Sequence, residues 1–334
     1  MTGLWKVSQE EIYMNRIFAY IVVLLLACSA CTGLEMHEND GSIRLSVCVD
    51  KVDVLTRGTQ VAHPFEGTVP SPSNPLETAL LFSTISGVYQ HSPALPTCLP
   101  CHTTIKYENA VPKDPDPWEG NNLKYPTDDA PVYCVGLCPK TGWDISDDGR
   151  TATYDALDGF TDVMFSQQIS GSWSSHFGVQ TYDHLLTWLK VCLVAVDAEA
   201  PQFWGNVRKV SIETESQVEI VLYDAESADS KVSYSGSIEP LVYEGDYELT
   251  TSIFEVGSVL CAPALSYTLK VQTEKEERTV EAALVNSSGE LLDSPSDAAG
   301  RQFVIELYFH PFSVIEGECS LASWEYKDDN FYLK

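Results

Sequence analysis

Apolar and polar residues alternate with a period of two along much of the chain. Ile43, Leu45, Val47 and Val49 alternate with Arg44, Ser46 and Cys48, and Phe303, Ile305, Leu307 and Phe309 alternate with Val304, Glu306 and Tyr308. Successive side chains of a strand point to opposite faces, so each stretch predicts a strand with one buried face. Residues 207–212, 217–223, 231–234, 265–272 and 279–285 are further strand candidates, as is 78–85. Asp148-Gly149, Asp158-Gly159 and Ser288-Gly289 supply turn signals between such runs. Many short strands punctuated in this way predict an all-β protein built from β-sandwiches.

One run breaks the alternation. From His184 to Val196 the chain is almost continuously apolar. Its length would suit a helix, but its Val-rich second half favours a strand buried on both faces. Pro201 and Gly205 interrupt the pattern directly afterwards. A domain boundary is expected there, giving an N-terminal domain over 42–199 and a C-terminal domain over 200–334. Residues 58–75 and 108–130 read as Pro-rich loops, the second long enough to suggest a function or mobility.

The N-terminus sets the expected compartment. Residues 17–27 form an unbroken apolar run. It is shorter than the roughly 20 residues that span a bilayer and matches a signal-peptide core. Leu25-Leu26-Ala27-Cys28 closes it in a pattern that resembles the bacterial lipobox. That resemblance implies a signal peptide over 1–27, cleavage before Cys28 and acylation of Cys28 by chains such as palmitate. Cys31 is the alternative lipidation site. Glu10 and Glu11 do not suit a basic flank, whereas Met14-Asn15-Arg16 does, which makes Met14 a candidate translation start. Residues 28–41 are small and polar and read as a lipidated tether.

Charge and cysteine content refine this picture. The formal net charge is -28. The segment 1–27 carries Lys6 and Arg16 against Glu10 and Glu11, so the remainder keeps all of that acidity. Such a surface repels phosphate backbones, and nucleic acid is not an expected partner. Cys98/Cys101 and Cys134/Cys138 have spacings seen in zinc pairs, but strand-like neighbours surround the second pair. Core thiols, disulfides and a metal site all remain open for them. Cys48, Cys192 and Cys261 lie in apolar runs and read as small core residues.

No constellation points to catalysis. The chain has no G-x-S-x-G, H-E-x-x-H or phosphate-binding glycine loop. Asp144, Asp147 and Asp148 precede Gly149, but the later Glu of a calcium loop is missing. The stretch reads as a solvated hairpin turn. His102 beside Cys101 is the only adjacent Cys/His pair. No enzyme activity, metal or cofactor is expected.

A family likeness follows from the order of motifs. The lipobox, tether and alternating first strand are followed by Thr56-Arg57-Gly58 and Tyr125-Pro126-Thr127-Asp128. Then come Tyr133-Cys134-Val135-Gly136, the Asp158-to-Phe165 segment and the run from His184. This order resembles the fimbrillin family of Bacteroidales, in its Mfa-like branch.

The resemblance implies two tandem transthyretin-like β-sandwich domains and a structural or adhesive role in a fimbrium (pilus). The protein would sit at the outer membrane or cell surface on its lipid anchor. It further implies proteolysis after an arginine near the first strand, followed by strand addition from a sister subunit. Arg57 is the candidate processing site. Cleavage there would release Ile43, Leu45, Val47 and Val49 from their slots. Each such side chain contributes roughly 1.5–3 kcal/mol when buried, so an emptied groove favours a replacement strand. Partners would be other fimbrial subunits and a host or bacterial surface ligand. Trp324, Tyr326, Phe331 and Tyr332 in the acidic C-terminal stretch would either dock on a neighbour or pack back. The alternative reading is a surface-exposed glycan-binding lipoprotein, which would carry a platform of exposed aromatics.

Overall fold

The computed structural model describes residues 46–49, 76–89, 95–99, 125–223, 231–311 and 314–322. The expectations for Cys28, Cys31, Ile43, Leu45 and Arg57 lie outside them. So do those for loop 58–75, for residues 108–124 of the second loop, for Cys101, His102 and for the C-terminal aromatics.

The described residues are almost entirely strand. The first sheet contains β1 (Ser46–Val49), β2 (Leu76–Ser83), β3 (Leu95–Leu99), β4 (Val132–Cys138), β7 (Met164–Gly171) and β8 (Val179–His184), in the order β1-β8-β7-β4-β2-β3. A second sheet faces it, in the order β12-β11-β6-β5. It joins β5 (Trp143–Ile145) and β6 (Thr151–Tyr154) to β11 (Gln217–Val221) and β12 (Lys231–Ser235). Ala79, Leu81, Val135, Leu137 and Phe165 of the first sheet pack with Ala152, Tyr154, Val218 and Ile220 of the second in one buried core. A smaller cluster of Leu80, Phe82, Tyr125, Val132, Cys134 and Phe177 covers the first sheet's other face.

Two further sheets enclose another core. One has the order β14-β9-β17-β18, from β9 (Thr187–Ala195), β14 (Phe254–Cys261), β17 (Gln302–His310) and β18 (Val314–Ala322). It is mixed, since β17 runs parallel to β9 while β14 and β18 are antiparallel to their neighbours. The other has the order β13-β10-β15-β16, from β10 (Val207–Ile212), β13 (Leu241–Tyr247), β15 (Ser266–Thr273) and β16 (Glu277–Ala283). Leu189, Val191, Leu193, Phe303, Ile305 and Leu307 meet Val210, Ile212, Leu269, Val271 and Val280 between them. A short helix, α1 (Ala200–Trp204), adds Trp204 to this core, and its indole N–H donates to the His310 carbonyl at 2.8 Å.

Most strands expected from periodicity are present, including β10, β11, β12, β15, β16 and β17. The run from His184 is β9, with all nine of its residues buried, as a strand with two covered faces requires. The Asp148-Gly149 turn closes the β5–β6 hairpin with Gly149 at φ 68°. The cores, however, do not divide at 199/200. β9 precedes that point yet belongs to the later core, and Val218, Ile220 and Leu222 follow it yet belong to the earlier one. Alternation identifies a strand without identifying the sheet it joins.

The Asp158-to-Phe165 segment forms the joint between the two cores. Leu157 N–H donates to the Ser216 carbonyl, and the Gly159 carbonyl accepts from Leu260 N–H at 2.7 Å. Gly159 has φ 86°. A Cβ there would stand 2.6 Å from Pro240 and 2.8 Å from Val259, so glycine is required twice over. The Asp158 carboxylate closes the turn by accepting from the N–H groups of Phe160 and Thr161, both at 2.7 Å, and from the Thr161 hydroxyl at 2.9 Å. Burial alone would raise this carboxyl, but those donors outweigh it and hold it below its ordinary value. Its contribution to stability is therefore complete above the ordinary carboxylate range and is lost as pH falls through the lowered value. Replacing Asp158 with Asn should cost about 0.5–1 kcal/mol in urea unfolding at neutral pH. The gap to the parent protein should narrow as pH falls below the ordinary carboxylate range and the native carboxylate takes up its proton.

Candidate functional site

Among the described residues the first sheet ends in β1, which pairs there with β8. The two strands run parallel, with Ser46 opposite Val179, Val47 opposite Gln180, Cys48 opposite Thr181 and Val49 opposite Tyr182. The other pairings of this sheet are antiparallel. β8 meets β7 through only two pairs, Met164 with His184 and Phe165 with Asp183. The half of β8 that carries β1 thus lies beyond the half that is tied to β7. Val47 and Val49, two of the four expected groove residues, fall at register positions next to Gln180 and Tyr182.

The start of β8 is fixed by aromatics. The Tyr125 hydroxyl accepts the Phe177 N–H at 2.9 Å. The Tyr125 ring stacks on His176 with centroids 5.3 Å apart and leans on Phe177 at 5.7 Å. Phe177 in turn meets Phe82 of β2 at 6.3 Å. The Tyr125-Pro126 motif therefore anchors the segment that feeds β8.

The buried face of β8 is polar. Gln180 and Tyr182 are fully buried, whereas Val179 is 57% exposed. The Thr78 hydroxyl donates to the Leu137 carbonyl at 2.8 Å, which leaves its lone pair to accept from the Tyr182 hydroxyl, also at 2.8 Å. Burial pushes the Tyr182 phenol well above its ordinary value and keeps it protonated, as this donation requires. Tyr182 lies directly over Gly136, where a Cβ would sit 1.9 Å from its hydroxyl oxygen. The Gln180 amide nitrogen lies 3.6 Å from the Cys134 sulfur. At the end of the strand His184 Nδ1 and Asp162 Oδ2 are 2.7 Å apart, both buried.

Sequence reasoning missed Gln180 and Tyr182, and met Thr78 and Gly136 only as a strand start and a motif residue. The available signal was Gln180, Tyr182 and His184 at alternate positions. An inward face made of such residues does not register as apolar alternation.

The remaining chemistry is quiet. Cys134, Cys138, Cys192 and Cys261 are buried free thiols, and Cys319 is half-buried and free. Burial pushes all five thiols up, Cys192 and Cys319 to about 12. Such thiols are poor nucleophiles and metal ligands. Among the described residues no group of three or more His, Cys, Asp and Glu side chains could hold a metal. No helix among them is long and apolar enough to cross a membrane. On the later core's sheet margins, Tyr247 and Phe254 stack with centroids 4.7 Å apart and planes 14° apart, and Phe254 is 50% exposed.

No family model and no curated protein matches the chain. Solved structures with a similar course include a candidate cell-adhesion protein from Bacteroides uniformis, at 12% identity and TM-score 0.48, covering 86% of this chain and 100% of that one. One from Bacteroides ovatus has 9% identity and TM-score 0.48, covering 86% and 99%. The fimbrial anchor protein Mfa2 from Porphyromonas gingivalis has 9% identity and TM-score 0.40, covering 84% and 97%. These likenesses concern the course of the chain and assign no role to any of its residues.

A Gly136→Ala substitution should destabilise the protein by about 1–3 kcal/mol through the clash with Tyr182. Tyr182→Phe should cost about 1 kcal/mol through loss of the Thr78 bond. Urea unfolding measures both, and the glycine variant should be the worse of the two.

Proposed function

We propose that this chain is a structural or adhesive component of bacterial fimbriae, exported as a lipoprotein and assembled by strand exchange after proteolysis. It takes no part in catalysis. Cys28 carries the lipid at the outer membrane, and the two cores correspond to tandem transthyretin-like sandwiches. Its partners are sister subunits, together with a ligand on a host or bacterial surface.

One observation carries the reading. The leading strand β1 is a marginal strand held through one neighbour, in parallel. The chain that follows it contains Arg57 before β2 begins at Leu76. A strand so placed can leave without unpicking the sheet, and its departure exposes backbone groups that template a replacement. Both sheets of the later core approach one another at their margins instead. A Cβ on Gly257 of β14 would lie 2.3 Å from the Val242 carbonyl of β13, and one on Gly317 of β18 would lie 3.2 Å from Val280 of β16. Exchange is therefore assigned to the earlier core.

An arginine-specific protease should cut the full chain to give a new N-terminus at Gly58. The cut protein should then form ladders that resist SDS, and Arg57→Ala should abolish both. A new N-terminus elsewhere, or cut protein that stays monomeric, would refute the exchange reading.

A second reading, a glycan-binding surface lipoprotein, is favoured by the stack of exposed Phe254 on half-buried Tyr247. Under that reading Phe254→Ala should abolish a polysaccharide-dependent gel shift. Unaltered migration of the parent protein across polysaccharides would remove it.

A further inference from the structure

Gln180 is 0% exposed, and one end of its side-chain amide has no hydrogen-bond partner among the described residues. The other end faces the Cys134 sulfur at 3.6 Å. A thiol can donate or accept weakly, so whichever way the amide is turned one end is served and one is not. A buried amide group left unpaired is costly, and native proteins rarely tolerate one without a reason. The neighbouring inward residue, Tyr182, is by contrast fully satisfied through Thr78. Along β8 the defect falls at the position whose register neighbour on β1 is Val47. Valine offers no hydrogen-bonding group, so the resident strand does not repair it.

We propose that Gln180 is a specificity-determining residue that selects the strand lying along β8. This rests on the strand-exchange reading and deepens it. The preferred occupant is a parallel strand from a sister subunit with a hydroxyl or carboxamide side chain at the register of Gln180. Hydroxyls and carboxamides both donate and accept, so they satisfy the free end in either amide orientation. The resident strand, with valine there, holds the site with one interaction fewer. It occupies the position in the precursor and yields to a strand that completes the set. Ser, Thr, Asn or Gln at that position would mark the incoming strand, and an apolar residue would mark a placeholder.

The test begins in the intact chain, where no exchange is needed. Val47→Thr keeps the β-branch and adds a hydroxyl. It should slow amide hydrogen exchange of β1 about fivefold relative to the parent, the worth of one neutral hydrogen bond. In a Gln180→Met background the same change should have no such effect. Equal effects in the two backgrounds, or none in either, would overturn the assignment. The second arm uses protein cut after Arg57 and synthetic peptides spanning residues 43–54, with Val or Thr at position 47. The Thr peptide should bind about fivefold more tightly, and Gln180→Met should erase the difference. Equal binding of the two peptides to the parent protein would also overturn it. If the intact-chain coupling is present but cut protein takes up neither peptide, Gln180 keeps its pairing role and the exchange reading fails.

Discussion

Burial of β9 on both of its faces is the constraint on which the rest of the molecule depends. Because side chains alternate, one strand serves two environments. Leu189, Val191, Leu193 and Ala195 enter the later core, while Trp188, with Leu260 opposite it on β14, enters the earlier one. Lys190 is the exception in an apolar strand. It is 3% exposed, and its ammonium lies 4.9 Å from the centre of the Trp188 ring. An aromatic face offsets part of the cost of desolvating a cation. Loss of this strand would uncover both cores at once, so the two sandwiches share their stability.

That sharing leaves the chain with unequal margins. In the later core the sheets approach at both sides, at Gly257 of β14 and Gly317 of β18, where larger residues would hold the sheets apart. The earlier core has a first sheet of six strands against a second of four. Its marginal strand β1 rests on a segment of β8 that β7 does not hold. An unpaired or weakly held margin invites pairing with another chain unless it is covered or used. The acidity of the chain opposes indiscriminate association, which leaves such a margin available to a fitted partner.

How much of this was legible in the sequence depends on what lies inside each strand. β15 and β17 keep their apolar residues on alternate positions and were readable directly, as was β10 past the irregularity after Val207. β18 was not, because Gly317 takes an inward position between Glu316 and Glu318, and only Ile315, Cys319 and Leu321 lean on the core. β8 was hidden for the opposite reason, since its inward residues Gln180, Tyr182 and His184 are polar, with Tyr182 and His184 buried through specific bonds. The return of β11 and β12 to the earlier core was beyond a reading by periodicity. It depends on pairing with β6, from Val218 opposite Tyr154 to Val221 opposite Thr151. The candidate margin was thus half visible, with β1 announced by alternation and its floor concealed by chemistry.

The parallel sense of β1 and β8 has an energetic consequence that alternation could not convey. Antiparallel neighbours can be joined by a tight turn, but parallel ones need a long connection. Here the partners are the first and last strands, in chain order, of the first sheet, and the chain between them includes β2, β4 and β7. Closing so long a loop costs entropy that grows with the logarithm of its length, which lowers the net gain from docking β1. While the connection is intact, the strand's high local concentration offsets its short contact with β8. Once the connection is cut, that advantage disappears. On the exchange proposed above, a resident strand and a visiting one would then compete on side-chain fit, and the unsatisfied amide in the floor would be the difference between them.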